Sequence, residues 1–260
     1  MSKQIGSAAS LLLQHWQAGT RLASLPEAML PVDRAGAYEV GELLAELSGD
    51  KVVGWKIAAT SDAGQKHINV DGPLAGRLFS SRIVPPGGQI RLGNNIMRVA
   101  EIEFAFSFAR ALPGKRKGYQ QTEVLDAVSN LHLSIEVPDS RFHNFTDVGV
   151  LQLIADTACA CWLVIGPAAD AAWREIDLAN HPVSGVLNGR KVASGRGGAA
   201  LGDPRRALTW LVNEVAQYAG GVKAGDIVTT GTCIVPVPIK PGDAFEADYG
   251  KLGQLLVHIT

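Results

Sequence analysis

Length, composition and charge limit the classes of protein to which this 260-residue chain can belong. Hydrophobic residues make up 47% of it and charged residues 19%, which is typical of a globular protein with a substantial core. The net charge of −1 gives no electrostatic reason to expect binding to nucleic acid or an anionic membrane, and no apolar run is long enough to span a bilayer.

The N-terminal third of the chain predicts helices followed by a strand and a polar loop. Up to about residue 50, leucines and valines recur at three- and four-residue intervals, which predicts two helices, the second ending at Gly49. Residues 51–58 predict a strand on which Lys56 lies opposite Trp55. Residues 60–82 show little periodicity, so we expect an irregular binding loop or lid that includes Thr60 and Ser61.

Two alternating segments carry glutamates on one face each. Residues 99–108 place Glu101 and Glu103 opposite a row of phenylalanines, and residues 131–137 place Glu136 opposite leucine, isoleucine and valine. Three carboxylates without a cysteine or histidine at ligand spacing suit Mg²⁺ or Mn²⁺ better than zinc. The alternative is that these are ordinary glutamates on the solvent side of half-exposed strands.

The remainder of the chain mixes helices and strands irregularly, which favours an α+β fold over a doubly wound sheet. We expect a short helix capped by Thr122 and a long buried helix over residues 147–162 that contains Cys159 and Cys161 as packing thiols. A hairpin turned by Asn188-Gly189 and a helix opened by Asp203-Pro204 follow. The C-terminus predicts four strands at residues 226–230, 233–239, 244–249 and 254–259.

The glycine-rich segment Ser194-Gly-Arg-Gly-Gly198 is a weak candidate for a phosphate loop. It lacks the Gly-Lys-Ser/Thr ending of a P-loop, and it follows a hairpin instead of leading from a strand into a helix. Two interpretations stay open: a plain glycine-rich connection, or a cradle of backbone amides for a carboxylate.

Several segments, in the right order from about residue 38 to the end, resemble the 2-keto-4-pentenoate hydratase family. That family includes the 4-oxalocrotonate decarboxylases and belongs to the fumarylacetoacetate hydrolase superfamily. The segments that carry the resemblance are Gly54-Trp-Lys-Ile57, Ala100-Glu-Ile-Glu-Phe104, Ile135-Glu-Val-Pro-Asp-Ser-Arg141, Ile154-Ala-Asp156, Leu187-Asn-Gly189, Ser194-Gly-Arg-Gly197, Ala224-Gly-Asp-Ile-Val-Thr-Thr-Gly231 and Pro241-Gly-Asp243.

The resemblance implies an N-terminal helical cap over residues 1–75, packed on a mixed β-sandwich or roll over residues 76–260. It implies a divalent ion, Mg²⁺ or Mn²⁺, as the cofactor, and assembly into a homo-oligomer. The residues to which it assigns roles are metal ligands Glu101, Glu103 and Glu136, catalytic Lys56, Asp71 and Ser194, and substrate-binding Thr60, Ser61, Gly195 and Thr232.

One departure from the family pattern leaves the general acid or base open. Many relatives carry an acidic residue where this chain has Leu74 and Ala75, although Asp71 remains nearby. With three unpatterned cysteines and an N-terminus that lacks an apolar run, we expect a reduced cytoplasmic protein.

We expect an enzyme that acts on a small 2-oxo or 2-hydroxydienoic acid, without a nucleic-acid or membrane partner. The favoured activity is a hydratase of meta-cleavage aromatic catabolism that converts a 2-hydroxy-2,4-dienoate to a 4-hydroxy-2-oxo acid. The alternatives are a 4-oxalocrotonate-type decarboxylase, a C–C hydrolase of the fumarylpyruvate type, and a catalytically silent metal-binding relative.

Overall fold

The computed structural model describes residues 3–260 of the chain. Its α-helices are α1 (Lys3–Ala18), α2 (Arg34–Ser48), α3 (Asp62–His67), α4 (Gln121–Leu125), α5 (Val150–Ala155) and α6 (Pro204–Tyr218). Its strands are β1 (Val52–Ala58), β2 (Leu74–Phe79), β3 (Ile83–Val84), β4 (Gln89–Ile90), β5 (Val99–Phe108), β6 (Leu112–Pro113), β7 (Val128–Val137), β8 (Trp162–Ala168), β9 (Pro182–Leu187), β10 (Arg190–Arg196), β11 (Gly221–Val222), β12 (Ile227–Thr229), β13 (Val237–Pro238), β14 (Ala244–Asp248) and β15 (Gln254–Ile259).

The strands form two main sheets that enclose a common core, which confirms the predicted α+β fold. The larger sheet runs β2-β1-β12-β5-β7-β8-β3, and β13 pairs with the first residues of β5. The smaller sheet runs β10-β9-β14-β15-β4. Phe104 of β5 contacts the Tyr249 ring at the end of β14 edge to face, with the centroids 5.3 Å apart. The two sheets therefore pack through the aromatic face of β5.

The helix boundaries follow local capping signals. The Asp33 carboxylate accepts a hydrogen bond from the Gly36 N–H at the start of α2, and Gly49 ends that helix in the left-handed conformation with φ of 67°. At α6 the Asp203 carboxylate accepts from the Arg205 N–H at 2.7 Å, as predicted. The predicted cap of α4 is wrong: this helix begins one residue before Thr122 and its N-cap is Gln120.

Residues 60–82 are more regular than expected. They contain the short helix α3 and the fully buried strand β2, which pairs antiparallel with β1 in the larger sheet. Because β2 is buried on both faces, it lacks the alternation that marks a half-exposed strand. The predicted domain boundary at residue 75 falls inside β2. The first two residues of the predicted N-terminal cap, residues 1 and 2, lie outside the described part of the chain.

The predicted long helix over residues 147–162 is wrong. Helix α5 ends at Ala155, a tight turn follows at residues 157–159, and β8 begins at Trp162. A short apolar run does not distinguish a buried helix from a buried strand, which explains the error. Cys159 and Cys161 therefore lie in the connection before β8, and both are free thiols.

The two N-terminal helices pack against each other and against the edge of the larger sheet. Leu12 of α1 and Leu44 of α2 belong to a buried cluster that includes Phe79 of β2 and Phe142. Within residues 3–260, no helix is both long and apolar enough to cross a membrane.

Candidate active site

The three predicted ligand carboxylates meet on one face of the larger sheet. Strands β5 and β7 are antiparallel, and their register places Glu101 directly opposite Glu136 and Glu103 opposite Ser134. One carboxylate oxygen from each glutamate lies within 4.8 Å of the other two. Glu103 and Glu136 are 0% and 1% exposed, so the alternative of solvent-facing glutamates is wrong for these two, and Glu101 is half-buried.

The described residues do not supply a hydrogen-bond donor to every carboxylate oxygen of this cluster. One oxygen of Glu103 accepts a hydrogen bond from the Gly231 N–H at 2.9 Å, but its Oε1 has no donor among the described residues, and neither does Glu136 Oε2. Burial, together with the charge of Glu136, raises the pKa of Glu101 to about 7 and that of Glu103 well above its usual range. Buried carboxylates of this kind require a cation or a proton. An all-oxygen donor set with orphaned oxygens fits a hard divalent ion.

Lys56 brings a positive charge to the same face. From β1, its side chain is 3% exposed, and its Nζ lies 3.0 Å from Glu136 Oε1 and donates to the Ala158 carbonyl at 3.1 Å. Burial lowers the pKa of Lys56, but Glu136, Glu101 and Glu103 outweigh burial and raise it above the ordinary value. Lys56 is therefore an ammonium group at neutral pH.

The carbonyl that holds Lys56 belongs to an unusual turn. Thr157, Ala158 and Cys159 are consecutive residues in the left-handed region, with φ of 53°, 51° and 60°. Each costs about 1–2 kcal/mol relative to the right-handed conformation, so the surrounding structure must hold them in place. This turn positions the acceptor of the Lys56 ammonium.

Two residues hold the turn, and sequence patterns identified neither. The buried Arg141 guanidinium pairs with the Asp156 carboxylate and also donates to Thr157 Oγ1 at 3.2 Å. Gly76 of β2 lies so close that a Cβ there would be 1.8 Å from the Thr157 carbonyl oxygen. The Arg141 contact spans 16 residues, whereas Gly76 comes from a strand far earlier in the chain.

Tyr249 links the backbones of the two glutamate-bearing strands. Its hydroxyl oxygen is 2.7 Å from the Glu103 carbonyl and 2.8 Å from the Ser134 carbonyl, and it accepts from the Ser134 N–H. This buried tyrosine comes from the smaller sheet, so the packing of the two sheets determines its role.

A cavity of about 290 Å³ opens over this face of the sheet. Its lining includes Lys56 and Glu101 together with three of the predicted substrate-binding residues, Thr60, Ser61 and Thr232. Asp71 and Ser194 are exposed and are not among the residues that line it. The structure therefore brings the predicted metal ligands, Lys56 and three of the predicted substrate-binding residues together. Asp71 and Ser194 lie outside the cavity.

The glycines of the segment 194–198 serve close packing. A Cβ on Gly195 would lie 1.9 Å from the Cys233 carbonyl oxygen, and one on Gly197 would lie 2.1 Å from the Leu178 carbonyl oxygen. The amides of residues 196, 197 and 198 already donate to backbone carbonyls. These three amides are thus not free to cradle a carboxylate, and Gly195 instead fixes the strand beside Thr232.

Comparison with known proteins gives consistent matches along the chain. The model of the Fumarylacetoacetate (FAA) hydrolase C-terminal family matches residues 60–260. A 2-keto-4-pentenoate hydratase of Burkholderia vietnamiensis is 29% identical over 98% of this chain and 97% of the relative. A 2-keto-4-pentenoate hydratase 1 of Dechloromonas aromatica is 32% identical over 96% and 94%. The structure of 4-oxalocrotonate decarboxylase from Pseudomonas putida G7, complexed with magnesium and adipate, is 27% identical, covers 99% of this chain and 98% of its own, and superimposes with a TM-score of 0.89.

Proposed function

Because the chain belongs to the FAA hydrolase C-terminal family, we propose that it is a divalent-metal-dependent hydratase. Its substrate is a 2-hydroxy-2,4-dienoate, the enol form of a 2-keto-4-pentenoate-like acid, and its product is a 4-hydroxy-2-oxo acid. The observation that carries the proposal is a buried ammonium group beside three clustered carboxylates beneath a ligand-sized cavity. Relatives named as hydratases, at about 30% identity over nearly their full length, support it.

Glu101, Glu103 and Glu136 would hold the metal ion, which we propose is Mg²⁺, with Mn²⁺ as the other candidate. Their donor atoms are all oxygens, and structural neighbours of this chain are complexed with magnesium or calcium. When bound, the ion supplies Lewis-acid stabilisation for negative charge that develops on the 2-oxygen of the substrate.

Lys56 contributes a fixed positive charge to the same chemistry. Water adds at C4 after the dienol has become the conjugated 2-oxo-3-enoate, and negative charge develops on the 2-oxygen in both steps. The Lys56 ammonium, held by the Ala158 carbonyl, donates a hydrogen bond to that oxygen. Although burial lowers the pKa of Lys56, the carboxylates raise it and keep the group protonated, so it serves as a hydrogen-bond donor and not as the base that activates water.

A decarboxylase is the second candidate, favoured by the TM-score of 0.89 to the 4-oxalocrotonate decarboxylase. Both reactions develop charge on the same 2-oxygen, so the metal face serves either one.

A C–C hydrolase needs a base-activated water from a His–Glu pair. His67 at the cavity has the Phe145 ring as its neighbour and makes no ion pair among residues 3–260. The presence of Lys56 beside all three glutamates argues against a catalytically silent relative.

The proposal extends to the setting of the enzyme. We propose a cytoplasmic homo-oligomer in the meta-cleavage catabolism of aromatic compounds. The free cysteines support a reducing compartment, and the names of the relatives support the type of substrate.

The test is an ultraviolet and product assay with 2-hydroxypenta-2,4-dienoate and 2-hydroxymuconate, with Mg²⁺ and with excess chelator. We expect chelator-sensitive loss of the dienoate and formation of 4-hydroxy-2-oxopentanoate. Release of CO₂ from 2-hydroxymuconate alone would identify a decarboxylase, and no turnover of either acid would contradict both candidates.

A further inference from the structure

A second cavity, of about 440 Å³, is lined from both the end of α1 and the start of β8. It shares no lining residue with the cavity over the metal face. Four arginines line it, Arg21, Arg82, Arg91 and Arg141, and Asp139 is the one acidic residue among its lining residues. We call this space the arginine cavity.

The charges around the arginine cavity do not balance. Arg21 pairs with Asp139 at 2.6 Å, and the Arg141 guanidinium pairs with the Asp156 carboxylate behind it. Arg82 and Arg91 make no ion pair and no side-chain hydrogen bond with any residue from 3 to 260. Four guanidinium groups and two carboxylates leave a formal charge of +2 in a chain whose net charge is −1. An anion is therefore the ligand that this cavity favours.

Arg82 is held in place with its donors free. Its guanidinium carbon lies 4.5 Å from the centroid of the Trp162 ring and 5.6 Å from that of the Trp16 ring. Contact with the two rings occupies the flat faces of the guanidinium group, while the N–H groups at its edge stay available for oxygen atoms. Because the rings already order this side chain, binding an anion costs little further side-chain entropy.

Arg21 brings a donor that the protein does not satisfy. Its side chain is only 7% exposed, and its terminal nitrogens donate to the Thr20 carbonyl at 3.1 Å, the Asn94 carbonyl at 2.8 Å and the Asp139 carboxylate. Its buried Nε has no acceptor among the described residues. A buried donor without a partner is costly, so this guanidinium group favours a ligand that carries acceptor oxygens.

The other polar groups of the lining do not favour a cation. The side-chain amides of Asn94 and Asn95 donate to backbone carbonyls at 3.2 Å and 2.8 Å. One carboxylate oxygen of Asp139 accepts from a backbone N–H at 3.0 Å and the other from Arg21. Burial raises the pKa of the Cys161 thiol to about 12, so it is neutral at pH 7. The unused groups are thus donors on arginine.

We propose that the arginine cavity binds a small oxyanion with two negative charges. Two charges match the unbalanced +2, and several acceptor oxygens match the forked donors of Arg82 and the unpartnered Nε of Arg21. A tetrahedral phosphate or sulfate group and a short dicarboxylate share this chemistry. The site goes beyond the proposed function, because it is separate from the metal face.

The test is calorimetric titration of the Mg²⁺-loaded protein with sulfate, succinate and acetate. We expect one sulfate ion per chain with a dissociation constant of about 1 mM or lower. Acetate, with a single charge, should bind at least about tenfold more weakly. The tighter of sulfate and succinate identifies whether a tetrahedral group or a dicarboxylate is the preferred ligand.

Two arginine variants locate the bound ion. Arg82→Gln and Arg91→Gln should each weaken sulfate binding about tenfold, because each removes a charged donor. Arg91 is exposed, so its variant keeps the test available if Arg82→Gln is unstable. Arg110→Gln is the matched control: Arg110 is exposed, lies outside the lining and loses the same charge, and its variant should bind sulfate within about twofold of wild type.

A titration of protein stripped of metal by chelator and then dialysed separates this site from the metal face. Sulfate binding should persist within about twofold, since no ligand carboxylate lines the arginine cavity. Loss of sulfate binding with the metal would place the ion at the metal face and overturn the proposal. So would equal binding of acetate and sulfate, wild-type binding by both cavity variants, or an equal loss in Arg110→Gln.

Discussion

Replacing Glu103 by glutamine should stabilise the metal-free protein and at the same time abolish its response to Mg²⁺. Glutamine keeps the side-chain volume, and its oxygen can still accept from the Gly231 N–H that now bonds Glu103 at 2.9 Å. The substitution removes one of three negative charges whose oxygens lie within 4.8 Å of one another. In the absence of a cation, these charges repel.

The expected gain in stability of the metal-free variant follows from the distances between these carboxylates. Two ionised carboxylates at this separation repel by about 3.5 kcal/mol at an effective dielectric constant of about 20. The folded protein avoids part of this repulsion by taking up a proton, which is why burial and neighbouring charge raise the pKa of Glu103. We therefore expect a net gain of about 2 kcal/mol for the variant in chelator, or a rise in Tm of about 4–8 °C.

With Mg²⁺ the stability advantage of the variant should disappear. Loss of a buried charged ligand should weaken Mg²⁺ binding at least about 100-fold. At 100 times its own dissociation constant, Mg²⁺ should stabilise the wild type by about 2.7 kcal/mol and the variant by only about 0.4 kcal/mol.

The assay is thermal unfolding in chelator and in Mg²⁺, with calorimetric titration of the ion and the dienoate assay on the same samples. Glu246→Gln, on β14 of the smaller sheet, is the control and should respond to Mg²⁺ as the wild type does. A Glu103→Gln protein that is less stable than wild type in chelator, or that binds Mg²⁺ within about threefold of it, would refute the assignment of Glu103.

Three further predictions concern the lysine, the turn that holds it and the metal-free cluster. Lys56→Met keeps the apolar stem but removes the ammonium group, so it should retain Mg²⁺ binding by calorimetry and lose about 10²–10⁴-fold in kcat; an unchanged kcat would exclude Lys56 from the mechanism. Gly76→Ala should destabilise the fold by about 2 kcal/mol or more in urea and reduce kcat, because its Cβ would lie 1.8 Å from the Thr157 carbonyl oxygen. Gly72→Ala meets nothing within 4 Å and is its control; equal stability of the two variants would contradict close packing against the turn. In chelator, the stability of the wild type should fall by about 1–3 kcal/mol from pH 5 to pH 8, because burial raises the pKa of Glu101 to about 7 and the folded state then binds more protons than the unfolded one below that pH. Glu101→Gln should lose this part of the pH dependence in urea unfolding, and an unchanged slope would remove Glu101 as its source.

Local sequence patterns were enough to predict the faces of the two central strands and the ends of two helices. The period-two alternation of β5 and β7 placed Glu101, Glu103 and Glu136 on faces opposite buried apolar ones, and the structure has those strands; their pairing and register came only from the structure. Gly49 and Asp203 marked the end of one helix and the start of another correctly. These features are local, because a strand face or a helix cap is specified by side chains within a few residues of it.

The tertiary structure decided the features that depend on residues distant in the chain. The burial of Glu103, the left-handed turn after Asp156 and the contact of the Ala158 carbonyl with Lys56 all depend on tertiary packing. The last of these joins residues 102 positions apart. Arg141 and Gly76 hold that turn through contacts that leave no periodic trace in the sequence. A left-handed conformation of non-glycine residues is intrinsically unfavourable, so only the packing and hydrogen bonds of the complete fold can select it.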